Sequence, residues 1–133
     1  MKSDLREIAL QARLRGYAPY SKFLVGAALL SKSGLIFAGC NIENISLGLT
    51  MCAERVCVGK AVEQGDRIFE RITIVADSIK PIVPCGACRQ VLAEFSPGLL
   101  ITSWTLSGES AEFMLEALFP LPAQGILEVP RGT

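Results

Sequence analysis

The stretch that decides the fold begins at Arg71-Ile-Thr-Ile-Val-Ala76 and continues through Pro84-Cys-Gly-Ala-Cys-Arg-Gln90. The first segment is rich in β-branched residues, which is typical of a buried strand. A helix is expected over residues 85–95, because Pro97-Gly98 can end it. The following run, residues 99–106, has the composition of another strand. This order of strand, helix and strand predicts an α/β domain.

The remaining elements continue the same alternation. They are a first helix capped by Ser3 and ended by Gly16, strands over residues 25–31 and 35–40 joined at Ser33-Gly34, and a second helix over residues 51–64. After the turn at Ser107-Gly108, the segment up to Phe119 fits either a short edge strand or a helix. No repeat or linker interrupts the sequence, so residues 1–133 are expected to form one domain with a mixed sheet and helices packed on it.

Charge and hydropathy argue against several classes of protein. The 13 basic and 13 acidic residues cancel, whereas a nucleic-acid binder usually carries a basic excess. The longest apolar run, residues 23–30, is too short to span a bilayer, and residues 1–4 lead into a charged amphipathic stretch rather than a secretory leader. A cytoplasmic protein without a nucleic-acid or membrane partner is therefore expected. Its mean hydropathy of +0.41 favours apolar surface hidden between subunits.

The chain has five cysteines and no histidine. The lack of histidine excludes Ser-His-Asp and Cys-His catalysis, as well as every zinc site that needs a histidine ligand. An odd number of cysteines without a secretory signal is poorly suited to a disulfide framework. Metal or redox chemistry is therefore the expected use of these thiols.

Three of the cysteines stand at the starts of predicted helices, in Cys52-Ala53-Glu54 and Pro84-Cys85-Gly86-Ala87-Cys88. The unpaired N–H groups and the dipole of a helix N-terminus favour thiolates, which are the form of cysteine that binds zinc. Cys85 and Cys88 are spaced to reach one ion, and Cys52 can supply a third sulfur. Three protein ligands leave one position of a tetrahedral zinc ion for water, whose pKa the metal lowers.

Glu54 and Arg55 follow the first cysteine and complete the expected zinc centre. The Glu54 carboxylate can reach the water without binding the metal, and it can carry protons to a ring nitrogen and to departing ammonia. Arg55 can donate hydrogen bonds to the sulfurs and offset the negative charge of three thiolates. A cysteine, a glutamate and a later Pro-Cys-x-x-Cys are a known signature of zinc deaminases.

Further stretches resemble the small homotetrameric cytidine deaminases. They are Tyr17-Ala-Pro-Tyr-Ser-Lys-Phe23, Val25-Gly-Ala-Ala28, Gly39-Cys-Asn-Ile-Glu-Asn44, Cys52-Ala-Glu-Arg55 and Pro84-Cys-Gly-Ala-Cys-Arg-Gln90. The resemblance covers roughly residues 5–120. It implies a cytidine deaminase-like fold, with a five-stranded sheet and flanking helices, and a homotetramer whose subunits complete one another's pockets.

The resemblance also implies an activity and roles for individual residues. Zn²⁺ would be bound by the three cysteines named above, and Glu54 would move protons while cytidine or deoxycytidine is hydrolysed to uridine or deoxyuridine. Phe23 would pack against the pyrimidine. Asn41 and Glu43 would hydrogen-bond the ribose hydroxyl, and the backbone at Ala53 would help to hold the base.

Two positions depart from the family's pattern. The family commonly has an aromatic residue where this chain has Leu47, and a phenylalanine where this chain has Ala123, three residues after the proline that ends the last helix. Both positions resemble sites that a neighbouring subunit lends to the substrate. We therefore expect a looser pocket that accepts bulkier or modified cytidines, and the preferred sugar stays open.

Other interpretations also stay open. Cys85 and Cys88 alone could form a redox dithiol, and Cys40 or Cys57 could close a purely structural zinc site, although both are expected to be buried thiols. Arg55 could form a surface salt bridge, and the expected substrate-binding residues could be ordinary core and loop residues. The protein could be a deaminase of a nucleoside antibiotic, a non-catalytic zinc-binding module or a nucleic-acid-editing enzyme.

Overall fold

The described part of the chain is a mixed sheet with helices on both faces. The structure is a computed structural model that describes residues 2–123, with side chains from Leu5 onward. Its elements are α1 (Lys2–Arg13), β1 (Val25–Ser31), β2 (Ile36–Cys40), α2 (Ala53–Glu63), β3 (Phe69–Ala76), α3 (Gly86–Phe95), β4 (Leu100–Thr105), β5 (Ser110–Met114) and the single turn α4 (Leu115–Leu118). Within this range the five strands, in the order β2-β1-β3-β4-β5, confirm the expected fold class.

The pairing of the strands brings the start of β1 and the ends of β2 and β3 to the same end of the sheet. β1 runs antiparallel to both β2 and β3, and β3 runs parallel to β4 through the α3 crossover. Val25, the first residue of β1, lies opposite Ala76, the last of β3, and Gly26 lies opposite Cys40, the last of β2. The chain leaves this end of the sheet toward the N-termini of α2 and α3, which is where open α/β sheets place their ligand sites.

Alternation along the strands divides the core between the two faces of the sheet. Leu29, Ile74 and Ile101 pack with α2 and α3 on one face. On the other face, Ala28 and Val75 pack with apolar residues of α1. None of the helices in the described range is long and apolar enough to cross a bilayer.

Several element boundaries differ from those expected. α1 begins at Lys2, so Ser3 lies within the first turn and the expected cap at Ser3 was wrong. The N–H groups of a first helical turn have no partner within the helix. A single polar residue near the start, such as Ser3, therefore does not fix the residue at which the helix begins. α2 begins at Ala53 and α3 at Gly86, because Cys52 and Cys85 both keep the extended backbone of N-cap residues.

The segment left open between strand and helix contains both elements. Residues 110–114 form β5 at the edge of the sheet, and the following four residues form α4. Exposed and half-buried residues alternate along β5, which gives it the period of a strand. Buried Leu115 then begins a single turn of helix, which is too short to be distinguished by periodicity.

Gly26 lets α1 approach β1 closely. A Cβ atom at this position would lie 2.0 Å from the carbonyl oxygen of Ala9 and 2.5 Å from the backbone nitrogen of Arg13. Both atoms belong to the backbone of α1, so a rotamer change cannot relieve the clash. The missing side chain therefore sets the distance between the helix and the sheet.

We predict that Gly26→Ala destabilises the fold by about 3 kcal/mol or more, since backbone must move to admit the methyl group. The measurement is urea-induced unfolding followed by circular dichroism. Gly98→Ala is the matched control, because nothing lies within 4 Å of a Cβ atom at Gly98. Equal stabilities of the two variants would contradict this account of the packing.

Candidate active site

The three expected metal ligands converge at the N-termini of α2 and α3. The Sγ atoms of Cys52, Cys85 and Cys88 all lie within 4.8 Å of one another, and those of Cys52 and Cys85 are 3.9 Å apart. Two sulfurs on a tetrahedral zinc ion, with Zn–S bonds of ~2.3 Å, would be ~3.8 Å apart. The Cys52–Cys85 spacing therefore matches a zinc site, and the three sulfurs have the chemistry that zinc prefers. No other such group of ligating side chains occurs in the part of the chain that the structure describes.

Local structure explains why the sulfurs meet. Cys52 and Cys85 are the N-cap residues of α2 and α3, and neither side chain caps its own helix. Cys88 lies in the first turn of α3, three residues after Cys85, so the two side chains share a face. Both helix dipoles favour negative charge at this point.

The thiols of Cys52 and Cys88 affect each other's ionisation. A hydrogen bond from Cys88 lowers the pKa of Cys52 to about 5, and the guanidinium of Arg55 acts in the same direction. The same hydrogen bond raises the pKa of Cys88, as does its burial. The cluster thus stabilises one thiolate, and metal binding would displace the remaining thiol protons.

The guanidinium of Arg55 lies beside the sulfur cluster. Its Nη2 donates to the carbonyl oxygen of Thr50 at 2.8 Å and lies 3.7 Å from the Sγ of Cys52. Its Nε is buried and has no hydrogen-bond partner among the described residues. The contact favours the expected role beside the sulfurs over a surface salt bridge.

Glu54 is a buried carboxyl group in the first turn of α2. Only 4% of the residue is exposed. Burial raises its pKa to about 7, and the negative charge of Cys52 contributes in the same direction. A carboxyl group that titrates near neutrality can both accept and return a proton at physiological pH.

A cavity of about 230 Å³ opens beside these residues. It is lined by Ser21, Phe23, Val25, Asn41, Glu43, Thr50, Cys52, Ala53, Glu54, Ile82, Val83 and Cys85. All four expected substrate-binding residues are in this set. Sequence reasoning missed five lining residues, Ser21, Val25, Thr50, Ile82 and Val83. The position of the last two between Pro81 and Pro84 was a signal that could have found them.

Asn41 and Glu43 organise the loop that carries Phe23 as well as lining the cavity. Asn41 donates from Nδ2 to the carbonyl oxygen of Phe23 at 2.7 Å and accepts the N–H of Val25 at 3.0 Å. Glu43 accepts backbone N–H groups at its Oε1, and a hydrogen bond from Ser21 lowers the pKa of its carboxyl. Asn41 and Glu43 are therefore loop-forming residues, and this structural role is compatible with binding a ligand.

The other cysteines lie outside the sulfur cluster. Cys57 is fully buried in the core, and its burial raises the pKa of its thiol. Cys40 is only half-buried, so the expectation of a buried thiol was wrong there. It is the last residue of the edge strand β2, which has a neighbour on one side only.

The two positions that depart from the family pattern also lie outside the cavity. Leu47 is 71% exposed in a short 3₁₀ turn, residues 47–49. Ala123 is exposed as well, next to Pro122, whose carbonyl oxygen accepts a hydrogen bond from Gln90 on α3. Neither contributes to the pocket of its own chain.

Comparison with known proteins identifies the family. Residues 1–103 match the family model described as "Cytidine and deoxycytidylate deaminase zinc-binding region". The chain belongs to this family. A cytidine deaminase of Sporosarcina psychrophila is 50% identical over 111 residues, which cover 83% of this chain and 82% of the relative. The resemblance to cytidine deaminases expected from the motifs is confirmed.

Two further relatives bear on the fold and on the choice of substrate. A crystal structure of cytidine deaminase from Burkholderia pseudomallei matches with a TM-score of 0.87 and 42% identity, covering 90% of this chain and 97% of that one. A blasticidin-S deaminase of Bacillus cereus is 31% identical over 109 residues, covering 76% of this chain and 77% of the relative. Relatives named for two different substrates thus each align with more than two thirds of this chain.

We predict that Cys85→Ala loses most of its bound zinc and unfolds at a lower temperature, because metal binding and folding are coupled. Zinc per chain is measured by atomic absorption after dialysis against a weak chelator. Cys40→Ala, which removes a thiol outside the cluster, is expected to keep the wild-type zinc content. Full retention of zinc by Cys85→Ala would contradict the ligand assignment.

Proposed function

We propose that this protein is a deaminase that hydrolyses the exocyclic amine of cytidine or deoxycytidine. The products are uridine or deoxyuridine and ammonia. The observation that carries this proposal is a buried carboxyl group, Glu54, beside three converging sulfurs at a cavity with apolar walls. Relatives named cytidine deaminases, at about 50% identity over most of the chain, support the same reaction. We propose one such domain over residues 1–133.

Glu54 is the proton carrier of the proposed reaction. Zinc held by Cys52, Cys85 and Cys88 would supply a Lewis acid that makes water nucleophilic near neutral pH. Glu54 accepts a proton from the attacking water and delivers it to the ring nitrogen next to C4. The oxygen of that water bonds to C4. Glu54 then carries the second proton of the water to the amine, so that the C4–N bond breaks, a C4=O bond forms and ammonia leaves. Burial of the carboxyl group keeps its proton affinity high enough for both steps.

The walls of the cavity suit a pyrimidine nucleoside. Phe23, Val25, Ile82 and Val83 provide apolar surface for the faces of the base. Ala53 places backbone polar groups beside the catalytic carboxyl. Asn41 and Glu43, at the polar part of the lining, are proposed to bind the sugar hydroxyls.

The charges of the lining favour a nucleoside over a nucleotide. The described residues of the cavity include the carboxylates of Glu43 and Glu54 and no lysine or arginine. Phosphate recognition normally uses such cations or a helix N-terminus. Here the two helix N-termini are occupied by the sulfur cluster, so we propose an unphosphorylated substrate.

We also propose a homotetramer. The cavity is smaller than the roughly 300–1,000 Å³ of typical small-molecule sites, which suggests that another subunit adds a wall. Large apolar residues are exposed along the loop between β2 and α2, namely Ile42, Ile45, Leu47, Leu49 and Met51. Apolar surface of this kind is typical of subunit interfaces.

The described cysteines are all free thiols. Free thiols that must bind metal persist best in a reducing compartment. We therefore propose that the enzyme works in the cytoplasm, in the salvage of pyrimidine nucleosides.

A second candidate is a deaminase of a modified or antibiotic nucleoside. It is favoured by the similarity to a blasticidin-S deaminase and by the lack of an aromatic ring at Leu47 and Ala123. Product analysis with cytidine, N4-modified cytidines and blasticidin S separates the two candidates. Cytidine is expected to be the better substrate, and turnover of only the antibiotic would favour the second candidate.

We predict that Glu54→Gln lowers kcat by at least roughly 10²–10⁴-fold, because general acid–base catalysis contributes about that much. The variant keeps its zinc, and the loss of cytidine absorbance measures the rate. Glu94→Gln is the control, since Glu94 is exposed on α3. An unchanged rate in Glu54→Gln would refute this role, and zinc binding without any deamination by the wild type would favour a non-catalytic module.

We predict that kcat/KM for cytidine exceeds that for cytidine 5′-phosphate or deoxycytidine 5′-phosphate by at least about a hundredfold. Repulsion between phosphate and the pocket carboxylates is the physical reason. Initial rates at low and high salt measure the ratio, which is expected to fall as salt screens the charges. Equal turnover of nucleoside and nucleotide would contradict this reading of the pocket.

A further inference from the structure

Ser21 joins two of the side chains that line the cavity. Its hydroxyl donates to Oε2 of Glu43, and its Oγ accepts the backbone N–H of Phe23 at 3.0 Å. All three residues belong to the cavity lining. One hydroxyl group therefore links the carboxylate to the segment that carries the aromatic ring.

The hydrogen bonds of Glu43 determine how many of its acceptor sites remain for a ligand. Its Oε1 accepts the N–H groups of Tyr20 at 3.0 Å and of Ser21 at 3.1 Å. A carboxylate oxygen has two lone pairs, so Oε1 is fully used. Oε2 accepts the Ser21 hydroxyl and keeps one lone pair for a ligand.

The backbone of this turn is constrained as well. Lys22, between Ser21 and Phe23, has a φ of 63°, in the left-handed region that side chains other than glycine rarely adopt. Its N–H donates to the carbonyl oxygen of Ala18 at 2.9 Å, which helps to hold the turn. Strained backbone that persists is characteristic of functional sites.

We propose that Ser21 is a positioning residue for the sugar of the substrate. It holds the Glu43 carboxylate so that a single acceptor, on Oε2, is available to a sugar hydroxyl. The inference rests on the proposed function and adds to it the residue that orients Glu43 toward the sugar. No motif in the sequence assigns Ser21 a role.

The test is steady-state kinetics of the purified enzyme with cytidine, 2′-deoxycytidine and 3′-deoxycytidine. Ser21→Ala is expected to raise KM for cytidine about ten- to a hundredfold, the worth of a hydrogen bond to a charged group, and to change kcat less than about threefold. With the analogue that lacks the hydroxyl bound by Glu43, the same substitution should change KM little.

Two variants control for a merely structural effect. Ser21→Thr keeps the hydroxyl and should restore the wild-type KM. Ser33→Ala removes a hydroxyl that also donates to a carboxylate, Asp66 at 2.8 Å, but in the turn at the opposite end of β1, and should leave KM unchanged. Ser21→Val has the shape of Ser21→Thr without the hydroxyl and replaces Ser21→Ala if that variant does not fold.

Failure of the inference is distinguishable from failure of the proposed function. An active wild-type enzyme in which loss of the Ser21 hydroxyl leaves KM unchanged, or weakens all three nucleosides equally, would overturn the inference alone. A wild-type enzyme that deaminates none of these nucleosides would overturn both.

Discussion

The structure depends on the convergence of three thiol groups at two helix N-termini. Cys52 and Cys85 hold the N-cap positions of α2 and α3, and Cys88 follows within the first turn of α3. Dipoles of both helices and the guanidinium of Arg55 stabilise the negative charge that sulfur ligands require. The sheet serves this arrangement, because antiparallel pairing of β1 with β2 and β3 delivers both helices to the same end of the molecule.

A second constraint shapes the rest of the pocket. Phe23 lies between α1 and β1, outside any helix or strand. Side chains of the loop after β2 hold this segment in place. Asn41 binds it on one side of the aromatic residue and Glu43 binds the preceding turn. The same carboxylate and amide groups face the cavity, so the residues that build the pocket wall are also available to a ligand.

The main elements and the sulfur cluster could be predicted from the sequence, for physical reasons. β-branched runs such as residues 71–76 and cysteines placed beside helix starts are local signals. Helix starts were less predictable. The apolar pattern includes Met51, but the extended backbone of Cys52 delays the start of α2 until Ala53. The hydrogen bond between Ser21 and Glu43 and the half-buried state of Cys40 were not predictable, because both depend on how segments distant in sequence pack together.

We propose that three cysteine sulfurs, and no fourth, hold a zinc ion beside Glu54. X-ray absorption at the zinc edge of the purified protein tests it most directly, because the method counts sulfur and lighter neighbours. The account predicts three sulfurs at ~2.3 Å and one oxygen or nitrogen neighbour at ~2.0 Å. Four sulfurs around the metal would contradict it, since no coordination position would remain for the reacting water.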